Sequence, residues 1–170
     1  LKDKMKKLYL PQPDEKTGII PQFDGYFDLK EIDLSVYKNA SVVGTIFHDY
    51  SGEDVQGMQA GKQADIVELL YQMEDITTPD NKAKNYVYYE ARTLHDSSLS
   101  KAIHSITACD LGMEKEAYEM FMSAALTDLG QEMKSSDAGI HSANMGGVWQ
   151  DVVMGFGGIR IRDGHLRIAP

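Results

Sequence analysis

The rhythm of apolar positions changes along this chain and divides it into three parts. Over residues 11–61 neither a helical nor a strand period is sustained. Pro11, Pro13 and Pro21, with Gly18 and Gly25, interrupt any helix, and residues 19–27 read as extended, turning chain. From Lys62 onward the spacing becomes that of amphipathic helices. Ala64, Ile66, Val67, Leu69, Leu70 and Met73 mark the first, with Asp65, Glu68 and Gln72 between them. Thr78-Pro79-Asp80 starts a second, with Thr78 as cap, Pro79 in the first turn, and Ala83, Tyr86 and Val87 on its buried side. A third runs from Ser100 through Ile103, Ile106 and Leu111 to Gly112, and a fourth from Glu114 carries Ala117, Met120, Phe121, Ala124 and Ala125. The fifth starts near His141, carries Met145, Val148, Trp149, Val152 and Val153, and ends at Gly157-Gly158. Residues 159–168 then alternate on both sides of Asp163-Gly164, the pattern of a β-hairpin.

Helices of about eleven to fifteen residues with short joins predict a mainly α fold built of antiparallel helical hairpins. A lone terminal hairpin is marginal in water, so further strands are expected beyond it. Leu1 is not an initiator Met, and residues 2–8 read as the charged last turns of a helix begun upstream. The expectation is a fragment: 1–157 helical, 158–170 the first hairpin of a β region. Such a piece would leave flanks open, with Ile66, Leu70, Met120, Phe121 and Trp149 as candidates for exposure.

Composition narrows the partners. The 170 residues are 42% hydrophobic and 25% charged, as in an ordinary globular domain. A formal charge of -9 argues against nucleic acid or an anionic membrane as a general partner. Cys109 is the only cysteine, which excludes an intrachain disulfide and a cysteine-based metal cage. There is no apolar run near the roughly 18 residues of a membrane span, and no signal peptide, so a reducing cytoplasm is the expected setting.

The candidate chemistry centres on residues 92–100, Arg-Thr-Leu-His-Asp-Ser-Ser-Leu-Ser. Hydroxyls just before an apolar-periodic run can cap a helix, and they can also face an anion, because a helix N-terminus presents unpaired N–H groups and a positive dipole end. In an antiparallel array the first, third and fifth helices point the same way. Their starts are Gly61-Lys62-Gln63, then His95-Asp96-Ser97-Ser98-Leu99-Ser100, then Gly139-Ile140-His141-Ser142. Three convergent N-termini carrying Lys62, His95 and His141 would make an anion site on an otherwise acidic chain. A Ser-His-Asp triad lacks its nucleophile elbow here, and the five histidines lack the paired spacing of a zinc site. His104, inside a helix, reads as a core or interface residue. Gly155-Phe156-Gly157-Gly158 follows a helix and precedes a strand, so it reads as helix termination. The alternating aromatics and carboxylates of 22–28 fit either a sugar cleft or the packing of a long loop.

At these residues a resemblance to glycoside hydrolase family 65 emerges. It is carried by Lys62-Gln63-Ala64-Asp65, by residues 88–100 (Tyr-Tyr-Glu-Ala-Arg-Thr-Leu-His-Asp-Ser-Ser-Leu-Ser), and by Asp137-Ala138-Gly139-Ile140-His141. Residues 22–27 and 155–158 are also similar to that family, and the pieces fall in its order. The resemblance implies part of an (α/α)6 toroid of helix pairs, followed by the start of a β region. It implies inverting phosphorylases of α-glucosyl disaccharides, with trehalose hydrolases as the alternative enzyme class; a stand-alone sugar-binding module is the alternative from outside catalysis. It assigns Lys62 and Gln63 to the glucosyl unit and Ser97, Ser98 and His141 to phosphate, with His95 and Asp96 shaping the loop. It implies no cofactor and no metal, inorganic phosphate being the co-substrate. The family's acid is a glutamate well upstream of the Lys-Gln pair, without a counterpart in Glu15, Glu31 or Glu53. The partners implied are therefore the disaccharide, phosphate, and either the missing N-terminal part of the enzyme or a second copy.

Overall fold

The computed structural model describes residues 2–8, 10–38, 42–63, 65–130, 139–162 and 164–170. Ala64, Asp137, Ala138 and Asp163, named in the motifs above, lie outside them. Five longer helices follow one another: α1 (Asp65–Gln72), α2 (Pro79–Glu90), α3 (Ser100–Asp110), α4 (Glu114–Ala125) and α5 (Ser142–Gln150). The last continues into a widened π-helical stretch over Asp151–Phe156. A two-stranded antiparallel sheet closes the chain, β1 (Ile159–Arg162) paired with β2 (His165–Ile168) from Ile159↔Ile168 to Arg162↔His165. Gly164 at φ 76° supplies the left-handed residue that such a tight turn needs.

Local chemistry accounts for the helix ends. Thr78 caps α2, its hydroxyl accepting the Asn81 N–H at 3.2 Å, and Pro79 fills a position whose N–H would be unpaired anyway. Gly112 at φ 70° ends α3, and the Met113 N–H returns to the Ala108 carbonyl at 2.9 Å.

Helix α3 is the hub and touches the other four. Its residues from Ala102 to Ala108 are all buried. Around it gather Ile66, Val67, Leu70 and Tyr71 of α1, Tyr86 and Tyr89 of α2, and Ala117 of α4. The described residues between 10 and 63 form short helical turns and irregular chain, and α2 fixes part of them. Asn85 accepts the Ile20 N–H at 2.8 Å and donates to the Gly18 carbonyl at 2.9 Å, while the Tyr89 hydroxyl donates to the Ile20 carbonyl. Tyr26 is buried and meets the Phe23 and Phe27 rings edge-on, each at 5.6 Å. Its loop is thus packed at its centre, with Phe23 and Phe27 half exposed at its rim.

Two expectations about burial need correction, and the expected exposure of Trp149 holds. Ile66 and Leu70 are covered by the core within this chain, so they do not form an open flank. Val87 faces outward, because the tyrosines beside it fill the space toward the core. In α5 the apolar stripe is turned out: Met145, Trp149 and Val152 are 49%, 59% and 50% exposed, whereas Asn144, Asp151 and Gly155 are buried. Gly147 explains the choice, since a Cβ there would stand 2.9 Å from that of Ala102. Small residues let α5 approach α3 closely, and bulky ones cannot occupy that face. Phe121 and Met120 are half-buried, Phe121 against the Phe156 ring at 5.3 Å. Among the described residues no helix is long and apolar enough to cross a membrane.

Candidate functional site

The starts of α1, α3 and α5 meet at one open groove of about 570 Å³. Gln63 and Asp65 line it from the first helix, Ser98, Leu99 and Ser100 from the third, and Ala143 and Asn144 from the fifth. Two backbone bonds hold the first two starts together: Gly61 N–H donates to the Arg92 carbonyl at 2.7 Å, and Leu94 N–H donates back to the Gly61 carbonyl at 2.8 Å. The close contact of Gly147 with Ala102 brings in the third. The groove continues along α1 and α5 past Glu68, Gln72, Gly147 and Gln150. Lys62, Ser97 and His141 are not among its lining residues, and what favours an anion here is the nearness of three helix starts, whose dipole ends carry partial positive charge.

The individual residues differ in what they offer. Gln63 and Ser98 line the groove; Lys62, next to Gln63, is exposed. The Ser97 hydroxyl is turned into the loop, where it accepts the Leu99 N–H at 3.3 Å. The Asp96 carboxylate accepts the Gly44 N–H at 3.0 Å and so ties this loop to the segment before α1. His141 immediately precedes α5, and Asp128 holds it twice: the Asp128 carboxylate accepts the His141 backbone N–H at 2.8 Å and meets Nδ1 at 2.7 Å. These bonds keep the Asp128 carboxyl below the usual carboxylate range. With Nδ1 engaged, Nε2 is the ring nitrogen left for a ligand.

His95, which the sequence reading placed with Lys62 and His141 at an anion site, is instead buried behind the groove in a cluster with His104 and Glu90. His95 sits at φ 56°, the one described non-glycine residue with positive φ, and is buried. Its Nε2 is 2.9 Å from Oε2 of Glu90, the last residue of α2, and its Nδ1 is 3.0 Å from the Ser100 hydroxyl. His104 Nδ1 stands 2.5 Å from the same Glu90 oxygen, outside aligned hydrogen-bond geometry. Lys38 Nζ pairs with Glu90 Oε1 at 2.5 Å. Burial pushes His95 down to about 4, so its ring is neutral near pH 7. Burial alone would raise Glu90, but the contacts with His104 and His95 hold it well below the carboxylate range. Glu90, His95 and His104 offer three ligand atoms within 4.8 Å of one another. A cation there would have to compete with the Lys38 ammonium on the same carboxylate, so the cluster reads better as a proton-shared network.

Asp128, Asn144 and Glu90 were missed from the sequence. Asp128 is 13 residues before His141, and Lys38 is 52 residues from Glu90. No local spacing announces such partners.

Comparisons with known proteins identify the family and the fold. The model of the glycosyl hydrolase family 65 central catalytic domain matches residues 1–150. The chain is 48% identical over 170 residues to a kojibiose phosphorylase of Halothermothrix orenii, covering 99% of this chain and 21% of that protein. It is 40% identical to a kojibiose phosphorylase of Escherichia coli, covering 98% and 22%. Further relatives are named nigerose, trehalose and maltose phosphorylases. A solved structure of a human-microbiome protein, provisionally named a kojibiose phosphorylase, superposes with a TM-score of 0.86 at 32% identity, over 99% of this chain and 24% of that one. The chain thus spans about a fifth of the length of the curated relatives it matches. The paired helices are part of an (α/α)6 toroid followed by the start of a β region, and the chain belongs to glycosyl hydrolase family 65.

Proposed function

We propose that the protein containing this chain catalyses inverting phosphorolysis of an α-glucosyl disaccharide, giving β-glucose 1-phosphate and a free sugar. The observation that carries this reading is the convergence of three helix N-termini on one groove lined by Gln63, Ser98 and Asn144. The names of the relatives support the substrate class.

In this reading the groove receives phosphate, with Ser98 and His141 Nε2 as side-chain donors and Ser97 shaping the loop that presents them. Lys62 and Gln63 hold the glucosyl unit. Inverting hydrolysis needs one carboxylic acid and a second carboxylate to activate water. In phosphorolysis the phosphate is the nucleophile, so an acid and an anion pocket suffice. The acid protonates the departing sugar's oxygen while a phosphate oxygen attacks the opposite face of the anomeric carbon. This chain supplies the anion pocket and part of the sugar clamp; the acid comes from a glutamate outside it. No cofactor or metal takes part in this scheme, and the setting is cytoplasmic.

The test is product release by the full-length protein from kojibiose, nigerose, maltose and trehalose, with and without phosphate. Glucose 1-phosphate should appear from one of them only when phosphate is present. Free glucose released equally without phosphate would mean a hydrolase. Replacing Lys62 with Ala should damage use of the disaccharide far more than use of phosphate.

A further inference from the structure

The loop that carries Ser97 and Ser98 is clamped at both ends by one imidazole. His95 opens the loop and Ser100 closes it, with His95 Nδ1 and Ser100 Oγ 3.0 Å apart. The same Ser100 hydroxyl lies 3.1 Å from the Ser97 carbonyl, a second acceptor for its one proton. His95 adopts left-handed backbone geometry to make this contact, a strained state that persists only where surrounding bonds over-determine it.

A proton count shows what fixes the clamp. Three contacts compete: His95 Nε2 with Glu90, His95 Nδ1 with Ser100, and Ser100 with the Ser97 carbonyl. A neutral imidazole and one hydroxyl supply two protons for them. The Glu90 carboxylate can only accept, and Lys38 beside it keeps it ionised. The ring proton therefore sits on Nε2, toward Glu90. Nδ1 becomes an acceptor, and the Ser100 hydroxyl proton turns to it. Glu90 thus decides, through His95, which way Ser100 points. Ser100 and Ser98 line the groove together.

We propose that Glu90 and His95 are positioning residues for the phosphate site, setting the direction of the hydroxyl of Ser100, which lines the groove beside Ser98. This rests on the phosphorolysis reading above and deepens it. Neither residue touches phosphate or sugar in this scheme.

The test uses the full-length enzyme and three variants, Ser100→Ala, Glu90→Gln and their combination, with KM measured separately for phosphate and disaccharide. Ser100→Ala removes one oxygen at a helix start and should raise the phosphate KM about tenfold, with the disaccharide KM within twofold. Glu90→Gln should act in the same direction, and the double variant should be no worse than the poorer single one, because both break one chain of bonds. Penalties that multiply in the double variant would overturn the relay. So would an unchanged phosphate KM in folded Ser100→Ala, or equal rises in both KM values. If Glu90→Gln does not fold, Ser100→Ala alone decides. Phosphate-dependent turnover by the wild type with an indifferent Ser100→Ala defeats the relay only; no phosphate-dependent turnover by the wild type defeats the relay and the phosphorolysis reading together.

Discussion

Helices α3 and α5 both begin at the groove, yet they solve burial in opposite ways. Every residue of α3 from Ala102 to Ala108 is buried, and the two hydroxyls in that stretch find backbone partners: Ser105 donates to the Ala117 carbonyl at 2.7 Å, and Thr107 to the Ile103 carbonyl at 2.9 Å. In α5 and the turns that follow, the inward face is Asn144, Gly147, Asp151 and Gly155, and the apolar stripe of Met145, Trp149 and Val152 faces out. The first helix is complete within this chain. The second is docked through small and polar groups and keeps a large apolar surface without cover among the described residues. A helix can therefore present its N-terminus to a site without burying its apolar face beneath it.

The largest expected effect breaks that contrast at its stronger side. Ile106→Ala, at a fully buried position, should cost about 2–5 kcal/mol in the isolated chain. Val152→Ala, half exposed, should stay within about 0.5 kcal/mol. Urea unfolding of the two variants compares them directly, and equal losses would mean that α5 packs as α3 does.

A smaller effect separates the two helices by pH. Asp151 is buried in the α5 extension with neither carboxylate oxygen hydrogen-bonded, and burial pushes its carboxyl up to about 7. Its unfolded value is near 4, so between pH 4 and 7 the folded state holds more protons, and stability falls as pH rises through that window. Behind α3 the sign is reversed. His95 is pushed down from about 6.5 to about 4, so its contribution is lost as pH falls through the same range. Asp151→Asn should therefore gain about 1–3 kcal/mol on the wild type between pH 4 and pH 8. Thermal melts across that range read the difference, and a pH-independent gap would remove the burial argument.

The smallest effect concerns the outward stripe. Covering a few hundred Å² of such surface is worth several kcal/mol at about 25 cal/mol per Å². The isolated chain should therefore self-associate, and Trp149→Ser should weaken that association about tenfold. Sedimentation velocity over a concentration series checks this, and a monomer at all concentrations would contradict it.

The same contrast explains what the sequence made legible. Periodicity revealed all five helices, and Thr78-Pro79 and Gly112 revealed two of their ends, because those signals are local. The order of helices then brought Gln63, Ser98 and the start of α5 to one end, as antiparallel packing requires. Periodicity identifies an apolar stripe but not what covers it, so the expected exposure holds for Trp149 and fails for Ile66 and Leu70. Gly147 and Gly155, which set the packing face of α5 and its extension, carry no hydrophobic signal. Asp128 and the pairing of Glu90 with Lys38 stayed hidden for a related reason: the partners are 13 and 52 residues apart, and only the fold brings them together.

The measurement that tests the central claim most directly is the effect of His141→Ala on the two substrates of the full-length enzyme. If three helix starts form a phosphate site, loss of this charge-assisted donor costs on the order of 2 kcal/mol, or roughly thirtyfold in phosphate KM. The disaccharide KM should stay within about twofold of the wild type, since this account gives His141 no contact with the sugar. An unchanged phosphate KM in a folded His141→Ala enzyme would contradict the assignment of the groove to an anion.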